Sequence, residues 1–170
     1  MEIGLSFGSN HGDRLRNLRE GRSRVAALAG VRVAAASPVY ETEPVDVAEE
    51  FRGRSFLNAV LIAECAGDLR SFSSAIHAIE DAMGRVRGPD RNAPRVIDID
   101  IIYAGNEHHC ETTLTVPHPR WKERRFVLQP LADVRPDLVI PGELRSVRAV
   151  LASLPDTPAA RLFCREWERG

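Results

Sequence analysis

The sequence predicts an α+β fold in the order β-α-β-β-α-β, a single domain over residues 1–170 with a mostly antiparallel sheet, helices on one face and a C-terminal extension. Three observations carry this expectation. Pro94 to Tyr103 alternates acidic and apolar residues with period two, the pattern of a half-buried strand. Phe56 to Ala63 is a short apolar run of strand length. Two stretches repeat apolar residues at helical spacing: Leu15, Leu18, Val25 and Leu28, then Leu69, Phe72, Ile76, Ile79 and Met83. With 44% apolar and 28% charged residues, the chain has the makeup of a domain that buries a core.

Taken in order, residues 2–7 form a first strand, and Gly8-Ser9-Asn10 turns the chain. Asn10 is the expected helix cap, with Asp13 at the third helical position. The helix runs to a stop at Gly30, and Gly21 inside it costs about 1 kcal/mol against alanine. Val31 to Tyr40 reads as the second strand, which the chain leaves through Glu41-Thr42-Glu43-Pro44. Residues 45–55, with Asp46, Glu49 and Glu50, form a polar loop that serves either as a lid or as a connector. In the strand from Phe56, side-chain parity puts Phe56 and Asn58 on one face with Val60 and Ile62. Asp68 caps the second helix, His77 and Glu80 are neighbours away from its apolar stripe, and Gly84 ends it.

An arginine-rich loop over 85–95 feeds the strand 96–103. Gly105-Asn106 then turns the chain into a further strand over 107–116. Val116-Pro117-His118-Pro119-Arg120 is stiffened by two prolines and followed by Lys122, Arg124 and Arg125. Phe126 to Leu131 is apolar, and Ser146 caps a short last helix carrying Val147, Val150, Leu151 and Leu154. The tail 155–170 reads as irregular. This order is the split βαβ, ferredoxin-like one: a four-stranded sheet, two helices on one face and the other face open to ligand.

Composition narrows the function classes. A net charge of −1 argues against a protein that coats nucleic acid or an anionic membrane. The start, Met1-Glu2-Ile3-Gly4-Leu5, lacks a basic region followed by an apolar run, and no stretch is long and apolar enough for a membrane span. The expectation is a cytoplasmic protein, working as a monomer. Cys65, Cys110 and Cys164 are widely spaced without a paired motif and read as reduced thiols. His108, His109 and Cys110 are adjacent, lack a fourth zinc ligand and do not read as a metal site.

The chemistry concentrates in one segment. Asp98 and Asp100 share a strand face, roughly 7 Å apart at their α-carbons. Ile97, Ile99 and Ile101 point to the core. Arg85, Arg87, Arg91 and Arg95 lie just upstream. Carboxylate oxygens suit Mg²⁺ and guanidinium forks suit phosphate, so the pair fits a metal–nucleotide. Neither a Walker loop nor a dinucleotide fingerprint is present, which leaves phosphate neutralisation to metal and arginines.

Several motifs occur in a familiar order: Gly8-Ser9-Asn10, Tyr40 with Thr42 and Pro44, Phe56-Leu57-Asn58, Gly84-Arg85 with Arg87, Arg91 with Pro94-Arg95 and Asp98 with Asp100, and Val116-Pro117-His118-Pro119-Arg120. Together, from about residue 3 to residue 141, they make the chain resemble the 6-hydroxymethyl-7,8-dihydropterin pyrophosphokinase family of folate biosynthesis. The resemblance implies transfer of a pyrophosphoryl group from ATP to the pterin hydroxymethyl group with release of AMP. It implies two Mg²⁺ held by Asp98 and Asp100. Phosphate contacts would come from Arg85, Arg95 and Arg124, and Arg87 and Arg91 would close over them. Around the nucleotide it places His77, Glu80, Thr115 and His118. It puts the pterin between Phe56 and Phe126, near Asp98, with its polar edge read by Asn58 and by the backbone at Thr42, Pro44 and Val45.

Two positions depart from the family pattern: Asn92 stands where Trp is frequent, and His77 where Gln is frequent. Two other classes compete. A metal-dependent nucleotidyltransferase also combines Gly-Ser with paired aspartates but holds them close together, whereas about ninety residues separate Ser9 from Asp98 here. An RNA-binding module of the same fold needs a basic face with exposed aromatics, and the Asp98/Asp100 face is acidic.

Overall fold

A computed structural model describes residues 1–43, 53–84 and 95–168. Among these, one sheet has six strands, all paired antiparallel. The strands are β1 (Glu2–Ser9), β2 (Val31–Ala36), β3 (Val39–Thr42), β4 (Phe56–Cys65), β5 (Asp98–Ala104) and β8 (Ala160–Cys164), in the spatial order β5-β1-β4-β3-β8, with β2 also on β4. Helices α1 (Arg14–Ala26) and α2 (Leu69–Ala82) cross between them, which gives the expected ferredoxin-like α+β arrangement. A small hairpin, β6 (His109–Glu111) with β7 (Leu114–Val116), stands apart, where one further strand was expected. Helices α3 (Arg125–Val134) and α4 (Val147–Ala152) belong to the C-terminal extension.

The expected second strand is two strands. Pro38 has no N–H to give a ladder, and the chain bends at Ser37. The Ser37 hydroxyl accepts the Val60 N–H at 2.8 Å, and the Ser37 N–H donates to the Val60 carbonyl at 2.9 Å, so β4 stays satisfied across the bend. The cap of α1 is Asp13, whose side chain accepts the Arg16 N–H at 3.0 Å. Asn10, expected in that role, is engaged elsewhere. Asp68 caps α2 as expected, at 2.9 Å from the Ser71 N–H. Gly21 has a packing reason: a β-carbon there would meet Phe7 Cε1 at 3.3 Å and Ile97 Cδ1 at 3.4 Å. The propensity lost in the helix lets α1 sit close on the sheet.

Two cores flank the sheet. One packs Leu5, Phe7, Leu61 and Ile99 against Leu18 and Val25 of α1 and Phe72 and Ile76 of α2. The other packs Val60, Ile62 and Ile102 under Leu128, Leu131, Val147 and Val150 of α3 and α4. The second corrects an expectation: the face opposite α1 and α2 is open only at one end, because the extension covers the rest. The tail, read as irregular, supplies the edge strand β8 on β3 and a core residue, Trp167, which is 1% exposed. Its indole N–H donates to the Ser37 carbonyl at 2.7 Å, and its ring stands edge-on to Phe7 at 5.7 Å. Among the described residues no helix is long and apolar enough to cross a membrane.

Candidate active site

The open end of the sheet face is built by strand register. Asp98 of β5 lies opposite Gly8 of β1, which lies opposite Asn58 of β4; Asp100 lies opposite Ser6. Cross-strand partners share a face, so both aspartates and Asn58 meet where parity placed them. They line a cavity of about 240 Å³ with Phe56, Phe126 and Arg124. Gly8 forms its floor: a β-carbon there would stand 3.4 Å from Asn58 Oδ1 and 3.8 Å from the Phe56 ring, filling the space between them. The Asn58 amide is aimed by Thr42, whose buried hydroxyl accepts from Nδ2 at 2.8 Å.

Cations surround the aspartates. Arg95 Nη1 donates to Asp98 Oδ2. The backbone of Arg95 is held by Asn10: Asn10 Oδ1 accepts the Arg95 N–H at 2.7 Å, and the Asn10 N–H donates to the Arg95 carbonyl at 3.1 Å. That two-way clasp, rather than a helix cap, is the work of Asn10. Arg124 Nη1 lies 3.6 Å from Asp100 Oδ2, with its guanidinium over the Phe126 ring at 5.5 Å. His118 Nε2 lies 3.8 Å from the same oxygen. Burial first, and then the Arg124 charge, push the His118 imidazole down to about 4, so the ring is neutral. Its Nδ1 accepts the Arg120 N–H at 3.1 Å, and its Nε2 faces Arg124 Nη1 at 3.4 Å beside Asp100.

On the other side of Asp100, a second groove is lined by His77 of α2, Ile99 and Ile101 of β5, Thr115 of β7 and His118. Asp100 therefore lines both cavities.

Glu80 corrects the sequence reading. Expected beside the nucleotide, it is 1% exposed and points inward, where its Oε1 accepts the Ile99 N–H at 2.8 Å. It braces β5 between the two aspartates. Glu80→Ala is expected to cost about 1–3 kcal/mol by leaving that buried N–H unpaired, whereas Glu80→Gln, which keeps an acceptor oxygen, costs less. Chemical denaturation of both variants checks the order.

Arg85, Arg87, Arg91, Asn92, Pro44 and Val45 lie outside the described residues. Sequence reasoning missed Ser6 and Gly8 as floor residues and Leu154, Pro155, Thr157 and Pro158 as lining. The floor glycine was legible in principle, since a glycine inside a strand signals a close approach. The lining from the tail had no local signal.

Comparison with known proteins decides the family. Residues 4–136 match the model of the 7,8-dihydro-6-hydroxymethylpterin-pyrophosphokinase (HPPK) family. The chain belongs to that family. It is an enzyme of the pyrophosphokinase class. Among HPPK relatives, it is 38% identical over 159 residues to the 2-amino-4-hydroxy-6-hydroxymethyldihydropteridine pyrophosphokinase of Methylorubrum extorquens, covering 93% of this chain and 96% of that one. It is 37% identical over 151 residues to the folic acid synthesis protein fol1 of Schizosaccharomyces pombe, covering 89% of this chain but spanning only 20% of that longer protein. Its fold is that of a crystallised HPPK-DHPS in complex with substrates, at a TM-score of 0.69 and 14% identity over 89% of this chain and 42% of that one.

Proposed function

We propose that this chain transfers the pyrophosphoryl group of ATP to the hydroxymethyl group of 6-hydroxymethyl-7,8-dihydropterin, releasing AMP, as a step of folate biosynthesis. The observation that carries the reading is that Asp100 borders two cavities. One has aromatic walls and an amide, suited to a flat polar ring; the other is a groove with two imidazoles and a hydroxyl, suited to a nucleotide. Two substrates lodged there have their reacting ends at the aspartates.

Asp98 and Asp100 are the residues that would hold two Mg²⁺. Among the described residues no group of three or more potential ligands stands ready to hold an ion by itself. A pair of carboxylates matches the way Mg²⁺ is held, with substrate phosphates completing its shell. Bound there, the ions would neutralise charge on the phosphates during transfer.

The chain's own groups do the rest. Phe56 and Phe126 hold the ring, and Asn58, aimed by Thr42, answers its polar edge. Arg95 and Arg124, each already next to an aspartate, donate to phosphate oxygens, with Arg85, Arg87 and Arg91 adding to them. His77, Thr115 and neutral His118 border the base and sugar. The hydroxymethyl oxygen loses its proton to solvent and bonds to the β-phosphorus as the bond from that phosphorus to the α–β bridging oxygen breaks, and AMP leaves with that oxygen. On this reading the chain is a cytoplasmic monomer acting on two small molecules, with sedimentation at monomer mass as the check.

AMP release measured with hydroxymethyl-dihydropterin and Mg²⁺ is the direct test. Release should require both; release without pterin, or none with all components present, overturns the reading. Phe126→Ala is expected to raise the pterin KM by about 10–100-fold, because an aromatic pair that grips a flat ring loses one face, while the ATP KM changes by no more than about threefold. Equal losses for both substrates would contradict the stacking role.

A further inference from the structure

Arg125 is the first residue of α3 and follows Arg124, yet its guanidinium is committed in a different direction. Nε donates to the Pro155 carbonyl at 2.9 Å, and Nη2 donates to the Leu154 carbonyl at 3.0 Å and to Asp156 Oδ1 at 3.1 Å. The side chain is 15% exposed, while Asp156 stands in solvent at 99%. The two carbonyls are the inner partners of the fork.

Leu154 packs against the second core and gives its N–H to the Leu151 carbonyl at 3.1 Å, but the stretch after it has few other ties. Helix α4 ends at Ala152, and pairing of β8 with β3 begins at Ala160 opposite Thr42. Among the described residues, no backbone–backbone hydrogen bond is made between Pro155 and Ala159. Two of these residues, Pro155 and Pro158, have no N–H to offer. Even so, Leu154, Pro155, Thr157 and Pro158 line the same cavity as Phe56, Asn58 and Phe126. A wall of two prolines, a leucine and a threonine is apolar and stiff, and it stands beside Thr42, the residue that aims Asn58.

Resting on the pterin reading above, we propose that the segment Leu154–Pro158 is the outer wall of the pterin cavity and that Arg125 is its positioning residue. The wall contacts the ring rather than the reacting phosphate. It therefore contributes to ground state and transition state alike, and its loss appears in pterin binding and not in the chemical step. Arg125 also lines the cavity, but its Nε and Nη2 are given to the two carbonyls, which separates its role from that of Arg124 at the phosphates.

The test is steady-state AMP release by Arg125→Ala, with direct pterin binding in the absence of nucleotide followed by pterin fluorescence. The expected result is a rise of about tenfold in pterin KM and Kd, with ATP KM and kcat within about threefold of wild type. Arg125→Lys, which supplies a donor but not the fork, should fall between the two. A purely structural role would lower the melting temperature and the active fraction, hence kcat, and leave pterin KM where it was. Should Arg125→Ala fail to fold, Leu154→Ala alters the wall itself and should raise pterin KM in the same selective way. An active wild type with unchanged pterin KM and Kd in Arg125→Ala, or in Leu154→Ala if that variant has to stand in, overturns the wall. A wild type that releases no AMP with the pterin overturns the underlying function instead.

Discussion

Asp98→Ala and Asp100→Ala are each expected to lower turnover by about 10³-fold or more, roughly 4 kcal/mol of transition-state stabilisation, because each removes half of the carboxylate pair that would hold metal against the phosphates. Neither change should unfold the chain. The Asp98 side chain is 19% exposed and that of Asp100 41%, both facing the cavity and not packed in the apolar core. Each change takes one anion from beside a cation, Asp98 from Arg95 or Asp100 from Arg124 and His118, so nucleotide binding alone persists or tightens while turnover collapses. Circular dichroism, equilibrium binding of ATP with Mg²⁺ and AMP release together separate these effects. Near-normal turnover in either variant would remove that aspartate from the two-metal arrangement.

Trp167→Ala is expected to have the largest effect on stability, about 3–5 kcal/mol. That corresponds to a drop of roughly 6–20 °C in melting temperature for a chain of this size. The indole is fully buried, fills the space beside Phe7, gives its N–H to the Ser37 carbonyl and lies 5.4 Å under the Arg22 guanidinium. Its loss leaves a large cavity, an unpaired carbonyl at the bend between β2 and β3, and a loosened β8. Thermal unfolding followed by circular dichroism reads the shift. A change below about 1 kcal/mol would mean that the tail contributes little to the core, and the place of β8 in the sheet would fall with it.

The candidate site divides along the same lines. Asp98, Asp100, Phe56 and Asn58 were legible because strand parity is a local property: each side chain's face follows from its neighbours in the chain. The helical stripes and the Asp68 cap were legible for the same reason. Asn10 misled, because an Asn after a Gly-Ser turn suits a helix cap, whereas its side chain is taken by Arg95, eighty-five residues away. Glu80 misled because a charged residue off the apolar stripe, next to His77, was expected beside the nucleotide. Here it is buried, since an N–H of β5 in the middle of the fold needs an acceptor.

By itself, then, the sequence determined the element order through β5, apart from the break in the second strand, together with the faces of β4 and β5, the acidic pair and its flanking cations, and a family resemblance that comparison with known proteins upheld. Tertiary structure alone decided that α3 and α4 cover most of the second sheet face, that the tail returns as an edge strand, that Gly8 separates Asp98 from Asn58, and that Arg125 holds a stretch of tail against the cavity. The physical reason is range. Backbone direction and side-chain alternation are fixed within a few residues, whereas register, burial and the pairing of distant polar groups depend on which surfaces can exclude water together.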